Sequence, residues 1–371
     1  MDHLDLIALG YQYVLKPALF RLDAEAVHEN TLSLAQALSQ STLTRNLSPL
    51  FIPASSPRIA QTIAGIHFPF PLGLAAGFDY MAKLTQTLPL FGFGFHTIGT
   101  ITNLPYKGNA RPRLGRLPNS QALMVNKGFK NLGAKKTVAK LAALSFPIPI
   151  GISIGRTNLP QIDTLDKAIN DIVASFKIFE AKSLKHSYYE LNISCPNLYG
   201  NVTFYEPKNL QKLIRAVKSL KTQRPIFVKM PITKTDDEIL RFLQIIVAEK
   251  LTGVIFGNLQ TNRLDPSLDQ TEVNHFARGN FSGKPTEKRS NELISLAHQK
   301  YGRQLIIIGC GGVFTAYDAY KKIRLGASLV QLITGLVFQG PQLVAQINRD
   351  LVKLLDVNHY HQISEAIGKK C

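Results

Sequence analysis

The stretch Tyr188-Tyr189-Glu190-Leu191-Asn192-Ile193-Ser194-Cys195-Pro196-Asn197 joins a mostly apolar run to a short loop with reactive side chains. The run Tyr188–Ile193 predicts a buried strand, which Pro196 ends because proline lacks the N–H that strand pairing needs. The loop presents two amides, a hydroxyl and a thiol. Amides can hold a polar ring through paired donors and acceptors, and a thiol can move a proton. The stretch therefore predicts chemistry on a small, hydrogen-bonding heterocycle.

Eight apolar runs of similar length recur along the chain, and most are followed by a helix-like segment. The runs are Leu72–Ala75, Phe95–Ile98, Ile148–Ile154, Tyr188–Ile193, Ile226–Val228, Gly253–Phe256, Leu305–Ile308 and Leu329–Ile333. Predicted helices include Leu210–Leu220, Asp236–Glu249, Ser290–Tyr301 and Thr315–Arg324. Continuous apolar runs are typical of parallel strands buried on both faces. Eight such units predict the α/β class and a (β/α)8 TIM barrel, with a doubly wound open sheet as the structural alternative.

Residues 1–48 are predicted to form a small N-terminal helical extension, and residues 49–371 to form the barrel. Apolar residues recur at helical spacing from Leu4 to Leu15, and Pro17 is expected to interrupt or end that helix. Asp23 is predicted to cap a second helix, one face of which carries Val27, Thr31, Leu34 and Leu38. Ordinary packing and association with a membrane are the two interpretations of this amphipathic pair.

The composition is apolar and strongly basic. Of the 371 residues, 45% are hydrophobic and 18% are charged, which favours a large buried core over disorder. The net charge is +18, and residues 1–48 contribute nothing to the surplus because their five acidic side chains outnumber three basic ones. A basic surface is either simply solvated or attracts anionic lipid, substrate or nucleic acid. The three cysteines have no metal-ligand spacing, which predicts a reducing compartment and no metal site. No stretch has the pattern of a membrane span or signal peptide.

The carboxyl ends of the predicted strands carry small or polar residues, and in a barrel the chemistry is expected at those ends. Strand ends and nearby segments with such residues are Ala75-Ala76-Gly77, Gly99-Thr100, Ser153-Ile154-Gly155, Lys229, Gly257-Asn258, Gly309-Cys310-Gly311-Gly312 and Thr334-Gly335, with Ser282-Gly283 before the seventh helix. The first of them leaves room for a flat ring against the backbone. The last three predict a phosphate site, because loops after strands seven and eight of such barrels bind phosphate through free N–H groups.

Lys229 and Cys195 each allow a structural and a functional interpretation. Lys229 is either a salt-bridged core residue or a fixed positive charge beside an electron-rich ring. Cys195 is either a small buried hydrophobe or a proton-transfer group. We favour the functional interpretation of Lys229, and we favour that of Cys195 because it lies between Asn192 and Asn197 at a strand end.

These residues resemble the dihydroorotate dehydrogenases, which are FMN-dependent barrel enzymes of pyrimidine synthesis. The resemblance runs from about Tyr13 to Leu351 and is greatest to the quinone-linked, membrane-associated class. The matching segments are Lys16-Pro17-Ala18-Leu19-Phe20-Arg21-Leu22-Asp23, Pro71-Leu72-Gly73-Leu74-Ala75-Ala76-Gly77, Arg111-Pro112-Arg113-Leu114, Gly128-Phe129-Lys130-Asn131, Asn192–Asn197, Gly311-Gly312 and Ser328-Leu329-Val330-Gln331.

The resemblance implies a role for each matching residue. Cys195 is implied to be the base that takes the proton from C5 of dihydroorotate, while hydride passes from C6 to the flavin. Residues implied to bind dihydroorotate or orotate are Asn192, Asn197 and Asn258, with Asn126 as a further candidate. Residues implied to bind FMN are Ala75, Ala76, Gly77, Thr100, Ser153, Asn192, Lys229, Gly257, Ser282, Gly283, Gly311, Gly312, Thr334 and Gly335. His28 and Arg116 match the passage for quinone.

The chain departs from the family pattern at several positions. Cys195 stands where the quinone-linked class normally has serine, whereas the soluble class has cysteine. A thiol ionises far more readily than a hydroxyl, so activity is expected to titrate with Cys195. Tyr80 replaces a usual lysine, Val125 and Ser153 usual asparagines, Leu259 a usual threonine or serine, and Ile333 a usual tyrosine. These changes spare FMN binding and bear most on recognition of orotate.

The leading hypothesis is a quinone-linked dihydroorotate dehydrogenase, peripheral on the cytoplasmic side of the cell membrane and a monomer or weak dimer. A second hypothesis keeps the fold and FMN but changes the acceptor to fumarate or NAD, or the substrate to another dihydropyrimidine. A third is a flavoprotein acting on tRNA bases, or a barrel reduced to a binding module. We expect no nucleic-acid partner, because the positive charge is dispersed rather than interleaved with aromatic residues.

Overall fold

Eight parallel strands close into a barrel at the centre of the structure. The computed structural model describes residues 2–39, 41, 56–182, 184–200 and 202–369. In chain order its strands are β1 Gln61–Ile63, β2 Ile66–Phe68, β3 Leu72–Leu74, β4 Phe95–Ile101, β5 Leu114–Leu117, β6 Ala122–Val125, β7 Ile150–Ile154, β8 Tyr188–Asn192, β9 Ile226–Met230, β10 Gly253–Phe256, β11 Asn280–Gly283, β12 Ile306–Cys310 and β13 Leu329–Leu332. The barrel follows the order β3-β4-β7-β8-β9-β10-β12-β13 and closes back onto β3.

The predicted TIM barrel is confirmed, and the open sheet is excluded by closure of β13 onto β3. Each of the eight apolar runs supplies one barrel strand. The largest difference in bounds is at β4, which ends at Ile101 rather than Ile98, and β7 begins at Ile150 rather than Ile148. Pro149 explains this start, because a residue without an N–H cannot take part fully in a central ladder.

Helices surround the barrel and cover its outer face. They are α1 His3–Gly10, α2 Lys16–Phe20, α3 Ala24–Leu38, α4 Ala134–Leu141, α5 Leu165–Glu180, α6 Pro207–Lys218, α7 Asp236–Ala248, α8 Gln270–Asn274, α9 Glu287–Tyr301, α10 Ala316–Arg324, α11 Thr334–Gln339 and α12 Leu343–Val357. The four helices predicted after barrel strands correspond to α6, α7, α9 and α10. The capping box expected at Thr315 is present, since its side chain accepts from the Asp318 N–H and Asp318 accepts in return.

Two small sheets outside the barrel were not predicted. The hairpin β1–β2 turns at Ala64 and Gly65, both with positive φ, and packs its apolar side chains into the same cluster as Phe95 and Tyr188. The antiparallel sheet β5–β6–β11 is assembled from insertions after β4 and β10. Since Ser282 and Gly283 of β11 also line the cavity described below, this second sheet lies at the carboxyl end of the barrel.

The N-terminal segment is helical, as predicted, and Asp23 caps α3 by accepting from the Ala26 N–H. Pro17 does not end the first helix. Instead, a π-helical turn at Tyr11–Leu15 precedes it, and helical structure continues to Phe20. A proline within the first turn of α2 removes few hydrogen bonds, because first-turn N–H groups have no intrahelical partner. The predicted boundary between residues 48 and 49 lies outside the described residues.

One face of these N-terminal helices is apolar and open to solvent. In α3 the buried residues are Ala24, Glu25, His28 and Leu32, so the face predicted to carry Leu34 and Leu38 points away from the barrel. Most large exposed apolar side chains of the described residues belong to this segment: Leu6, Leu9, Tyr13, Val14, Leu15, Leu22, Leu34 and Leu38. Packing against the barrel therefore accounts for only one side of the helices. Within the described ranges, no helix is both long and apolar enough to span a membrane.

A buried ion cluster attaches α3 to the barrel. The Glu25 carboxylate is 4% exposed and lies 2.9 Å from Arg113 Nε and 3.1 Å from Lys130 Nζ. Burial raises the pKa of Glu25, but hydrogen bonds from Arg113 and Lys130 outweigh that effect and leave the pKa below its ordinary value. The carboxylate therefore stabilises the fold above its unfolded-state pKa, and the contribution is lost as pH falls through the lowered folded-state pKa.

Glu25→Gln is expected to lower the free energy of unfolding by about 3 kcal/mol at pH 7, because it removes a buried carboxylate and leaves the mostly buried Arg113 without its anion. Denaturant unfolding checks this value, and the difference between parent and variant should shrink on acidification. Glu29→Gln is the matched control, since Glu29 also pairs with Lys130 but is 43% exposed. Equal losses in the two variants would contradict the assigned role of burial.

Candidate active site

A cavity of about 90 Å³ opens at the carboxyl ends of the barrel strands. The residues that line it and that the sequence predicted for the site are Ala75, Ala76, Lys229, Gly257, Asn258, Ser282, Gly283, Gly311, Gly312, Thr334 and Gly335. Sequence reasoning did not assign Leu259, Thr286, Cys310, Val313, Leu332 and Ile333, which also line it, to the cofactor site. Segments far apart in the chain thus converge at this cavity, whereas Gly77, Thr100, Ser153 and Asn192, which were also predicted to bind FMN, are not among the residues that line it.

One end of the cavity is built from close backbone approaches. A Cβ atom at Gly311, where φ is +100°, would lie 2.4 Å from Thr286 Oγ1, and one at Gly335 would lie 2.0 Å from the Val313 carbonyl oxygen. Only glycine fits at both positions, so backbone N–H groups can face the cavity. The hydroxyls of Ser282 and Thr334 are 2.8 Å apart and add donors beside them. This donor set suits a phosphate group.

Beside the cavity, next to its lining residue Lys229, a polar ladder joins adjacent strands. Asn192 Nδ2 donates to Thr100 Oγ1 at 2.8 Å, and Thr100 Oγ1 is 2.9 Å from Ser153 Oγ. Lys229 pairs in register with Asn192 on the neighbouring strand and is 4% exposed. No carboxylate in the described residues forms a salt bridge with Lys229, so the predicted alternative of a salt-bridged core lysine is not supported. The amide of Asn192 and the hydroxyls of Thr100 and Ser153 therefore lie on strands next to or near the one that carries the Lys229 cation.

Cys195 lies in the loop that follows β8. The loop is shaped by Asn192, whose side-chain oxygen accepts from both the N–H and the hydroxyl of Ser194, and Asn258 donates to that hydroxyl. Burial raises the pKa of the Cys195 thiol to about 11, although a hydrogen bond with the Asn197 backbone and the positive charges of Arg156 and Lys229 lower it. The thiol is therefore mostly protonated near neutral pH, in an environment where cations favour its ionised form.

The remaining two predicted substrate residues hold the loops together. Asn197 donates to the Val125 carbonyl at 3.0 Å and accepts from Asn280 at 2.6 Å. Asn126 accepts from Asn109 Nδ2 at 3.0 Å, and the same Nδ2 group is 2.9 Å from the Asn197 carbonyl oxygen. Asn109 therefore links both residues. Its role was missed, because a lone asparagine in a loop carries no sequence signal.

His28 and Arg116 lie where the N-terminal helices meet the barrel. His28 Nε2 is 3.0 Å from the Phe78 carbonyl oxygen, and its ring stacks on Tyr80 at 5.8 Å. Burial lowers the pKa of His28 well below its ordinary value. Arg116 donates to the Leu22 carbonyl at 2.8 Å. An apolar cluster nearby joins helix α2, sheet β5–β6 and helix α11: Phe20, Leu114, Leu123, Val125, Phe314, Val337 and Phe338.

Comparison with known proteins identifies the family. A family model described as dihydroorotate dehydrogenase matches residues 58–355. A protein of Chloroflexus aurantiacus named dihydroorotate dehydrogenase (quinone) is 35% identical over 363 residues, which cover 93% of this chain and 97% of that protein. The chain belongs to the dihydroorotate dehydrogenase family.

Other members of the family agree with this result. A relative from Acidithiobacillus ferrooxidans, also named dihydroorotate dehydrogenase (quinone), is 36% identical over 374 residues, covering 96% of this chain and 98% of the relative. The crystal structure of the Eimeria tenella family member in complex with ferulenol has a TM-score of 0.81 and 26% identity. That match covers 95% of this chain and 98% of the other.

Two of the departures from the dihydroorotate dehydrogenase pattern line the cavity, and others lie elsewhere in the fold. Leu259 and Ile333 line the cavity, and Val125 belongs to the apolar cluster. Tyr80, which replaces the usual lysine, has the buried ammonium of Lys127 4.4 Å from its ring centroid. Burial lowers the pKa of Lys127 to about 7. An amine that is about half protonated near neutral pH thus lies beside the aromatic ring at position 80.

Proposed function

We propose that this chain oxidises dihydroorotate to orotate in pyrimidine biosynthesis, holds FMN, and passes electrons to a quinone. The observation that carries the proposal is a phosphate-suited cavity whose lining residue Asn258 donates to Ser194, in the loop that holds Cys195. Names of relatives that cover nearly the full chain support the same substrate and acceptor. When bound, FMN supplies the acceptor for the hydride from C6.

The residues of the chain are assigned to cofactor binding, substrate binding and proton transfer. Ser282, Thr334 and the N–H groups beside Gly311 would hold the FMN phosphate, and Lys229 would place a positive charge beside the ring. Asn192, Asn197 and Asn258 orient the substrate through its ring amides and carboxylate. Cys195 Sγ, as thiolate, takes the proton from C5 and becomes a thiol. The proton transfer thus stays within the loop after β8.

The exposed apolar face of the N-terminal helices supports peripheral membrane association, on the cytoplasmic side, where a lipophilic quinone would be met. Contiguous apolar surface of this kind marks a contact with a membrane or a partner. The apolar cluster around Phe338 and Val125 includes residues of α2, β5–β6 and α11, and it would offer a lipophilic quinone an apolar route towards the site. His28 and Arg116 are proposed to contact the quinone.

The acceptor is tested by steady-state oxidation of dihydroorotate with a short-chain ubiquinone analogue, fumarate and NAD in parallel. The ubiquinone analogue is expected to give a kcat/KM at least about tenfold above the other two. A faster reaction with fumarate or NAD would contradict the proposed acceptor while leaving the substrate intact.

Val125 and Leu259 favour an alternative substrate. Apolar side chains at these positions leave polar groups of dihydroorotate without hydrogen bonds, and each unpaired group costs about 1–3 kcal/mol of binding free energy. That candidate is another dihydropyrimidine. Parallel assays with dihydroorotate and dihydrouracil distinguish the two, and a higher kcat/KM for dihydrouracil would assign the second function.

Thr334→Val is expected to raise the dissociation constant of FMN about 10- to 100-fold, because a hydrogen bond to a charged group contributes about 1.5–3 kcal/mol. Fluorescence of FMN released on dilution of the holoprotein measures this constant. Thr137→Val is the matched control, since it removes a buried hydroxyl from α4 that bonds only within that helix's first turn. An unchanged constant in Thr334→Val would remove this hydroxyl from the phosphate site.

A further inference from the structure

Arg156 is a buried cation without an anionic partner. It follows β7 and is 2% exposed. Its Nη2 group donates to the Tyr199 carbonyl, whereas its Nε and Nη1 groups have no hydrogen-bond partner. Within the described part of the chain, no carboxylate lies within salt-bridge distance of the guanidinium. An uncompensated buried charge is costly, so its presence calls for an anion that forms during function.

The thiolate of Cys195 is the anion that meets this requirement. Arg156 is the first of the two cations that favour ionisation of Cys195, and Cys195 in turn is the first of the two groups that favour the charged form of Arg156. The other groups that face this pair are Lys229 on β9, Tyr205 after β8 and Asp171 on α5. Both oxygens of Asp171 already accept hydrogen bonds from Thr157, at 2.6 and 2.8 Å.

The segment that carries Arg156 also fixes the loop that carries Cys195. Arg156 donates to the Tyr199 carbonyl, and Asn158 accepts from the Tyr199 N–H. Asn158 is further bonded to Asn109 at 2.9 Å, and Asn109 bonds the Asn197 carbonyl. The guanidinium is therefore held in place relative to the thiol from two sides.

We propose that Arg156 is a positioning residue that stabilises the thiolate of Cys195 through a fixed, buried positive charge. Arginine suits this task because it keeps its proton throughout. It cannot take the substrate proton in place of the thiolate. The proposal deepens the proposed function, since the same thiolate is the base there, but its test needs no substrate.

The test is the rate at which iodoacetamide alkylates Cys195 at pH 9 in the full-length protein, resolved by peptide mass spectrometry. An opposite charge nearby lowers a pKa by about 1–3 units, so Arg156→Met should slow alkylation of Cys195 about tenfold or more. Cys310 is the internal reference, because the cations that act on it are Lys229 and Lys322 rather than Arg156. Arg156→Lys keeps the charge and should stay within about threefold of the parent.

An unchanged ratio of Cys195 to Cys310 alkylation in Arg156→Met would overturn the proposal. If Arg156→Met unfolds, both cysteines will react at the rate of free thiols, and Arg156→Lys then decides the matter. A folded Arg156→Lys that loses tenfold would show that shape rather than charge matters. Because alkylation needs no substrate, its result does not depend on whether the protein oxidises dihydroorotate. The role of Arg156 and the proposed function can therefore be contradicted independently.

Discussion

Replacing Cys195 with alanine is expected to slow reduction of the bound flavin by dihydroorotate about 10²- to 10⁴-fold, the usual contribution of a positioned base. Alanine removes only the sulfur, and the Asn192–Ser194 and Asn258–Ser194 hydrogen bonds that shape the loop do not involve it. Fold and flavin content should therefore match the parent. Anaerobic stopped-flow absorbance at the flavin band measures the rate.

The pH dependence of the same rate adds a second readout. Because the pKa of Cys195 is raised to about 11, the thiolate fraction rises about tenfold per pH unit below it, and the parent rate should rise with pH from 7 towards 10. Cys195→Ser keeps a proton acceptor and should retain more activity than Cys195→Ala. Equal rates in Cys195→Ala and the parent would exclude the thiol as base.

Removing residues 1–22 is expected to slow reoxidation of the flavin by quinone about 30-fold, while reduction by dihydroorotate changes less than about twofold. The magnitude corresponds to loss of about 2 kcal/mol of apolar contact. This truncation removes Phe20, whose ring meets Phe338 edge-on at 5.4 Å, and the Leu22 carbonyl that holds Arg116. It keeps α3, whose Glu25 and Leu32 are buried against the barrel.

Ferricyanide, a water-soluble acceptor, provides the control for that truncation. It should reoxidise the truncated protein as fast as the parent, because it has no need of an apolar route. Loss of both reactions to the same extent would indicate general damage to the barrel. Unchanged quinone kinetics would remove the N-terminal helices from the electron route.

The barrel could be predicted from the sequence because its strands are continuous apolar runs, a pattern that burial on both faces produces. Their positions at the carboxyl ends of strands then predicted that Lys229, Asn192, Gly311 and Gly312 lie at the same end of the barrel. The sheet β5–β6–β11 escaped prediction for a physical reason. Its strands are four residues long and pair across the chain, so neither length nor alternation distinguishes them from loop.

The electrostatics of the site were also beyond prediction from sequence. Arg156 is buried and donates to the Tyr199 carbonyl, in the loop that follows the next barrel strand, β8. Lys127 lies over Tyr80 through tertiary packing of segments far apart in the chain. Such pairings depend on the closed barrel, whereas a single arginine or lysine in a loop gives no periodic signal. Residues within sequence motifs at strand ends were predictable, whereas Arg156 and Lys127, whose partners are distant in the sequence, were not.

The most direct test of the proposed function is the flavin spectrum of the purified protein under anaerobic conditions. The protein should be yellow as isolated, and dihydroorotate should bleach its oxidised flavin band within seconds, with orotate formed in equal amount. Subsequent addition of the quinone analogue should restore the band. An oxidised flavin spectrum that dihydroorotate leaves unchanged would contradict the account, whatever the protein does with other substrates.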